Sequence, residues 1–154
     1  MMHRMSHSLI VAVVSVVACV GGPSSVDSVR ASRACNRLGE LRELPFKREP
    51  VNDPVYNELI AVGRPAIPCL VDKIDDATPM PDPRKAPPIP GGVAVGDVAL
   101  FMLSDVSGVD LKDLLPPEVL KELQEQGVYA YFTYVRNAKN RAALKRYVED
   151  LHLL

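Results

Sequence analysis

Residues 53–76 read DPVYNELIAVGRPAIPCLVDKIDD, and this stretch decides the fold class. Asp53 followed by Pro54 is a helix start. An Asp side chain accepts the orphan N–H groups of a first turn, and Pro is tolerated there because its missing N–H would have had no partner. Val55, Leu59, Ile60 and Val62 carry the helical spacing as far as Gly63, a residue suited to ending a helix. Pro65 opens a second helix whose apolar stripe is Ile67, Leu70, Val71 and Ile74. Asp75 and Asp76 close it, and with Asp72 they read as a solvated helix end, since the alternating pattern and closing Glu of a calcium loop are absent.

This string resembles a unit of the HEAT-type repeats: two short antiparallel helices, a Gly turn, and Pro near the start of the second helix. The resemblance covers 24 residues. It implies helix-on-helix packing of the α-solenoid kind, with concave side-chain surfaces suited to binding other proteins.

On the N-terminal side, residues 27–44 allow a first helix with Val29, Ala34, Leu38 and Leu41 facing inward and Gly39 as its weak point. Pro45 and Pro50 mark a loop. On the C-terminal side, residues 77–92, ATPMPDPRKAPPIPGG, hold six Pro and two Gly and form a long loop. Such a loop, already restricted by Pro, loses little entropy on binding, which makes it and its cations Arg84 and Lys85 a candidate recognition element. A tolerated linker is the competing reading.

Residues 93–107 are strongly apolar at helical spacing and form the expected central buried helix, with Gly96-Asp97 near its start and Gly108 at its end. Pro116 and Pro117 open a further helix that Gly127 closes. Residues 128–135, VYAYFTYV, have high strand propensity, but Val128, Tyr131, Phe132 and Val135 fit one helical face and no partner strand is evident, so helix is favoured. Asn137 caps a last helix with Leu144, Tyr147, Val148 and Leu151 as its stripe. The expectation is an all-α domain over residues 33–154. It has five to seven short antiparallel helices, α-solenoid-like packing and a Pro-rich loop, without a sheet.

The N-terminus reads as an export signal. Residues 1–8 are polar with one cation, Arg4, and residues 9–20, LIVAVVSVVACV, are apolar apart from Ser15. Twelve residues span only ~18 Å as a helix, too short for a hydrocarbon layer of ~30 Å. That is the length of a signal h-region. Val16-Val17-Ala18-Cys19 resembles the lipobox of bacterial lipoproteins. The resemblance implies removal of residues 1–18, acylation of the Cys19 thiol and a periplasm-facing protein, with the outer membrane favoured because Val20 and not Asp follows. Cleavage at the same bond by the ordinary signal peptidase is the alternative. Residues 19–32 then form a flexible tether, with a reach of about 20 Å.

Of the three Cys, assigning Cys19 to lipid leaves Cys35 and Cys69. In an oxidising compartment these form a disulfide, or else two buried thiols. Of the three His, His3 and His7 lie in the signal, and His152 stands near the end, a poor place for a general base. Ser–His–Asp and Cys–His catalysis and a His-rich zinc site lack their residues, so no metal or cofactor is expected. Removing Arg4 with the signal leaves 17 basic against 19 acidic residues, which gives no support to nucleic-acid binding.

Tyr129 and Tyr134 are candidate partner-binding anchors, whereas Tyr131, Phe132 and Tyr147 read as core. Asp97 reads as a helix cap and Asp105 as a helix-end residue, ~12 Å apart on one face and too distant for a carboxylate pair. Lys139, Arg141, Lys145 and Arg146 give the last helix a basic side, read as a solvated face with Lys145 pairing Glu149; anionic headgroups are the competing partner. The functional expectation is an exported, lipid-anchored, non-catalytic helical protein that binds another protein in the bacterial envelope. The alternatives are a periplasmic immunity protein against a secreted toxin, by class-level analogy, and an envelope enzyme or accessory factor with an unidentified site.

Overall fold

A computed structural model describes residues 25–45 and 49–153 of the chain. The signal sequence over residues 1–18 and the lipidation candidate Cys19 lie outside the described residues. Helix α1 (Ser25–Asn36) begins within the stretch expected to be tether, so residues 25–32 are helical instead. They are held because Ala31, Ala34 and Cys35 are buried against the body of the domain. Val29, expected to face inward, is 65% exposed. The helix also stops earlier than residue 44. The chain turns through a short 3-10 segment, Leu38–Glu40, around Gly39. The Arg42 N–H then donates to Asp53 Oδ2 at 2.8 Å, which draws the backbone off the helical path.

Helix α2 (Pro54–Val62) starts as the sequence dictates: Asp53 Oδ1 accepts from the N–H groups of Val55 and Tyr56 at 2.8 and 3.0 Å. Asp53 is buried, so its two oxygens both cap a helix and anchor the preceding loop. Gly63 ends α2 at φ 67°, in the left-handed region that glycine favours. A 3-10 turn over Arg64–Ala66 leads into α3 (Ile67–Lys73). A disulfide between Cys35 on α1 and Cys69 on α3, with Cα atoms 6.3 Å apart, joins the two helices.

The Pro-rich loop is closed at its base by a two-residue antiparallel ladder that the sequence did not announce. Strand β1 (Pro79–Met80) pairs with β2 (Val93–Ala94), Pro79 opposite Ala94 and Met80 opposite Val93. Between them the loop folds onto the body, with Pro83 and Ile89 buried. Helix α4 (Val95–Ser107) follows directly and is the central buried helix, with Val98, Ala99, Leu100, Met102 and Leu103 fully enclosed. It touches α2, α3, β2 and the 3-10 turns beside them. Gly108 ends it at φ 74°.

A 3-10 turn at Leu111–Leu114 precedes α5 (Pro117–Gln126), which packs on α6 (Val128–Val135). The ambiguous 128–135 segment is thus a helix, and Tyr131, Phe132 and Val135 are buried as the helical spacing requires. Helix α7 (Ala138–Asp150) begins at Asn137, whose side chain accepts from the Lys139 N–H at 2.9 Å. It packs on α6 and α3. The all-α expectation holds among the described residues, with the small β1–β2 ladder as its exception.

Candidate functional site

The strongest cluster of buried polar groups joins α4, α6 and α7. Asp97, in the first turn of α4, is 2% exposed. Its Oδ2 accepts from the Ala94 N–H at 2.8 Å, the half of a capping box that an alanine cap allows. Its Oδ1 accepts from the Tyr131 hydroxyl and from Arg141 Nη2, each at 2.9 Å. Arg141 also donates to two backbone carbonyls, from Nε to Val135 at 3.3 Å and from Nη1 to Ile74 at 3.4 Å. The Ile74 carbonyl follows the last turn of α3, so one carboxylate and one guanidinium tie together four helices. Burial and the Asp97 carboxylate push the Tyr131 phenol well above its usual range, against the opposing pull of Arg141. That phenol stays protonated and donating. No buried side-chain nitrogen or oxygen among the described residues lacks a partner.

Gly96 makes this approach feasible. A Cβ there would stand 2.3 Å from the Ile74 carbonyl oxygen and 2.8 Å from Arg141 Nη1. Asp97 does cap its helix as read, but the sequence reading missed its two distant partners. It also placed Arg141 on a solvated basic face, whereas that side chain is buried. Lys145 likewise pairs with Asp75, at 3.3 Å, and donates to the Asp72 carbonyl at 3.0 Å, not to Glu149. The cations of α7 are drawn to the carbonyl-rich end of α3, where the helix dipole favours positive charge.

The recognition candidates fall into two groups. Arg84 and Lys85 on the Pro-rich loop are engaged within the chain. Arg84 pairs with Asp82 at 2.7 Å and lies over the Phe132 ring, 5.1 Å from its centroid. Lys85 bridges Glu43 and Glu49, each at 2.9 Å. These contacts pin the loop to the body, and Arg136 donates to the Pro90 carbonyl at its far end. Tyr129 and Tyr134 sit on α6. Tyr129 is 41% exposed, while the Tyr134 hydroxyl donates to Glu118 on α5 at 3.4 Å. Tyr131 and Phe132 are core, as read, and Tyr147 is half-buried.

Two concavities border these residues. One, of about 220 Å³, is lined by Gly91, Gly92, Phe132, Arg136 and Arg141. The other, of about 280 Å³, lies over α4 between Leu44, Phe101, Leu111 and Val128, with Asp105 at its rim. Partial desolvation raises the Asp105 carboxyl, and the hydrogen bond with Tyr56 opposes this. Burial and the Asp105 carboxylate push Tyr56 up to about 12. Asp97 and Asp105 stay at opposite ends of α4 in separate environments. Among the described residues no group of three or more His, Cys, Asp or Glu could hold a metal ion, and no helix is long and apolar enough to cross a membrane.

No protein-family model matches this chain, and no characterised protein or solved structure matches it either.

Proposed function

We propose that the chain is an exported, lipid-anchored helical protein that acts by binding another protein in the bacterial envelope and not by catalysis. The observation that supports the exported part of this reading is the Cys35–Cys69 disulfide between α1 and α3. Structural disulfides persist in oxidising compartments, so the pair agrees with an N-terminal signal and a lipobox-like Cys19. The two sequence readings and the pairing fit one destination: the periplasmic side of a membrane, with Cys19 acylated.

The binding reading rests on what the polar groups do. Asp97, Tyr131 and Arg141 spend their hydrogen bonds on one another and on backbone, which suits a strut between helices. Helices α2 and α3, joined through the Gly63 turn, each pack on α1 and α4, and this helix-on-helix arrangement supports use as a binding scaffold. Tyr129 is the aromatic side chain best placed to meet a partner, since it is exposed on a helix whose other face is locked in the core.

Palmitate labelling of the wild type and of Cys19→Ser tests the anchor. Label present in the wild type and absent from the variant is expected; label that survives the substitution overturns the site. A photo-crosslinking amino acid at position 129, introduced in the native host, tests the partner. A discrete protein adduct is expected there and not at the buried position 131. Absence of any adduct at 129 and at other exposed positions overturns the binding reading.

A further inference from the structure

Helix α1 has two opposed faces. Ala31, Ala34 and Cys35 are buried against the body, whereas Val26, Val29, Arg30 and Arg33 line a shallow surface open to solvent. The second set falls at i, i+3, i+4 and i+7, one stripe of a helix. Val26 and Val29 are each 65% exposed, the most exposed large apolar side chains among the described residues. Two valines left in water beside two arginines make the composition of an interfacial helix face. The helix cannot roll this stripe inward, because Cys35 on the opposite side is joined to Cys69 of α3.

We infer that this face rests on the anionic lipid surface to which the chain is tethered. The inference deepens the lipid-anchor reading and rests on it. Six residue steps separate Cys19 from Ser25. At ~3.5 Å per step they reach at most ~21 Å, so an acyl group on Cys19 holds the start of α1 close to the headgroups. Two valines and two arginines bind a vesicle weakly when free in solution. Confinement within that reach makes the contact intramolecular, at an effective concentration on the order of millimolar. The valines then enter the boundary between headgroups and acyl chains, and Arg30 and Arg33 extend to the phosphates. The acid of this helix, Asp27, lies outside the stripe.

The test places a nitroxide at Val29→Cys in the complete lipidated protein. The label goes to that thiol alone, because Cys19 carries lipid and Cys35 is bonded to Cys69. A reference label is placed at Glu122→Cys on α5. In phosphatidylethanolamine–phosphatidylglycerol vesicles, label 29 is expected to be several-fold less accessible than label 122 to a water-soluble relaxation reagent, and more accessible to oxygen. Arg30→Glu with Arg33→Glu should return label 29 to water, each charge weakening the contact roughly fivefold, and phosphatidylcholine vesicles should act in the same direction. Equal accessibility of the two labels in anionic vesicles overturns the proposal. So does dipolar broadening between labels at position 29, which would make the stripe an interface between two copies of the chain. The mass of the same sample reads the anchor separately. Acylated protein with label 29 in water refutes the face alone; protein without acyl mass refutes the anchor and the face with it.

Discussion

Arg141 Nη2 and Asp97 Oδ1 lie 2.9 Å apart, with only 8% and 2% of their side chains exposed. A charge pair this far from water stabilises little against an apolar pair of the same shape, but removing one partner strands the other. Arg141→Met should therefore cost about 3–5 kcal/mol, read from urea unfolding. Tyr131→Phe should cost less, about 1–2 kcal/mol, because Arg141 still serves the same oxygen. A double-mutant cycle between Asp97→Asn and Arg141→Met should show coupling above about 1 kcal/mol. Additive losses would mean the pair does not act as a unit.

Gly96→Ala tests the space that the strut requires. In an open helix this change gains up to about 1 kcal/mol from propensity. Here the new methyl meets the Ile74 carbonyl, backbone that cannot swing aside, and the Arg141 guanidinium. Net destabilisation of about 1–3 kcal/mol is expected. Gly39→Ala is the control, since its nearest neighbour would be Val95 Cγ2 at an ordinary 3.8 Å. If Gly96→Ala is as well tolerated as Gly39→Ala, the close approach is not what selects glycine.

The local parts of this structure were legible in the sequence. Asp53-Pro54, Gly63, Gly108 and Asn137 mark helix ends through chemistry within a few residues, and the apolar spacing of α4 shows that it is buried. The Asp97 partners were not legible, because Tyr131 and Arg141 lie 34 and 44 positions away. An acid beside a glycine on an otherwise apolar helix was the available signal, and it was read only as a cap. Arg141 was hidden among Lys139, Lys145 and Arg146, since charge patterning does not distinguish a buried guanidinium from a solvated one. The β1–β2 ladder escaped because two residues per strand leave no alternation to detect, and Pro79 argues against a strand. The early end of α1 depends on Asp53 capturing the Arg42 N–H, a contact across 11 positions.

The Cys35–Cys69 link closes a sequence separation of 34. In the chain-entropy model that is worth about 4 kcal/mol. Dithiothreitol should add the mass of two hydrogens and lower the urea midpoint. The Cys35→Ala, Cys69→Ala variant should match the reduced wild type and no longer respond to dithiothreitol. Because α1 packs on α2 as well as on α3, the rest of the core should still unfold cooperatively in that variant. An unchanged mass on reduction would refute the bond.

Acid should loosen the Pro-rich loop before the core. The hydrogen bond from Lys85 holds the Glu43 carboxyl below its usual value, helped by the Asn52 N–H. Burial alone would raise Asp82, but hydrogen bonds from Arg84 outweigh it and the carboxyl is lowered. A carboxyl lowered in the fold contributes stability that is present above the unfolded value near ~4 and is lost as pH falls through the folded one. Glu43 ties Lys85 to the body and Asp82 orients Arg84 within the loop over residues 77–92, so below about pH 4 the loop's amides should lose protection relative to their intrinsic exchange rates while those of α4 keep it. Equal loss of protection in both segments would show that the ion pairs do not act locally. Lys85→Ala should bring the loop's fast exchange up to neutral pH.

Alkali should act on the core through its tyrosines. Burial, with Asp105, pushes Tyr56 up to about 12; burial, with Asp97, pushes Tyr131 well above the usual range; burial, with Glu118, raises Tyr134. A phenol whose value is raised in the fold gives up no stability below the unfolded value of ~10, and loses it as pH rises from there toward the folded value. Unfolding free energy should therefore be flat up to about pH 10 and fall beyond it, with phenolate absorbance lagging behind the pH at which a model tyrosine ionises. Tyr131→Phe starts from a lower plateau but should show a shallower alkaline slope, because the most buried of the three phenols no longer titrates on unfolding. Tyr56→Phe should lessen the slope to a smaller degree, since its ring is only half-buried. A slope that is unchanged in both variants would assign the alkaline transition to other groups.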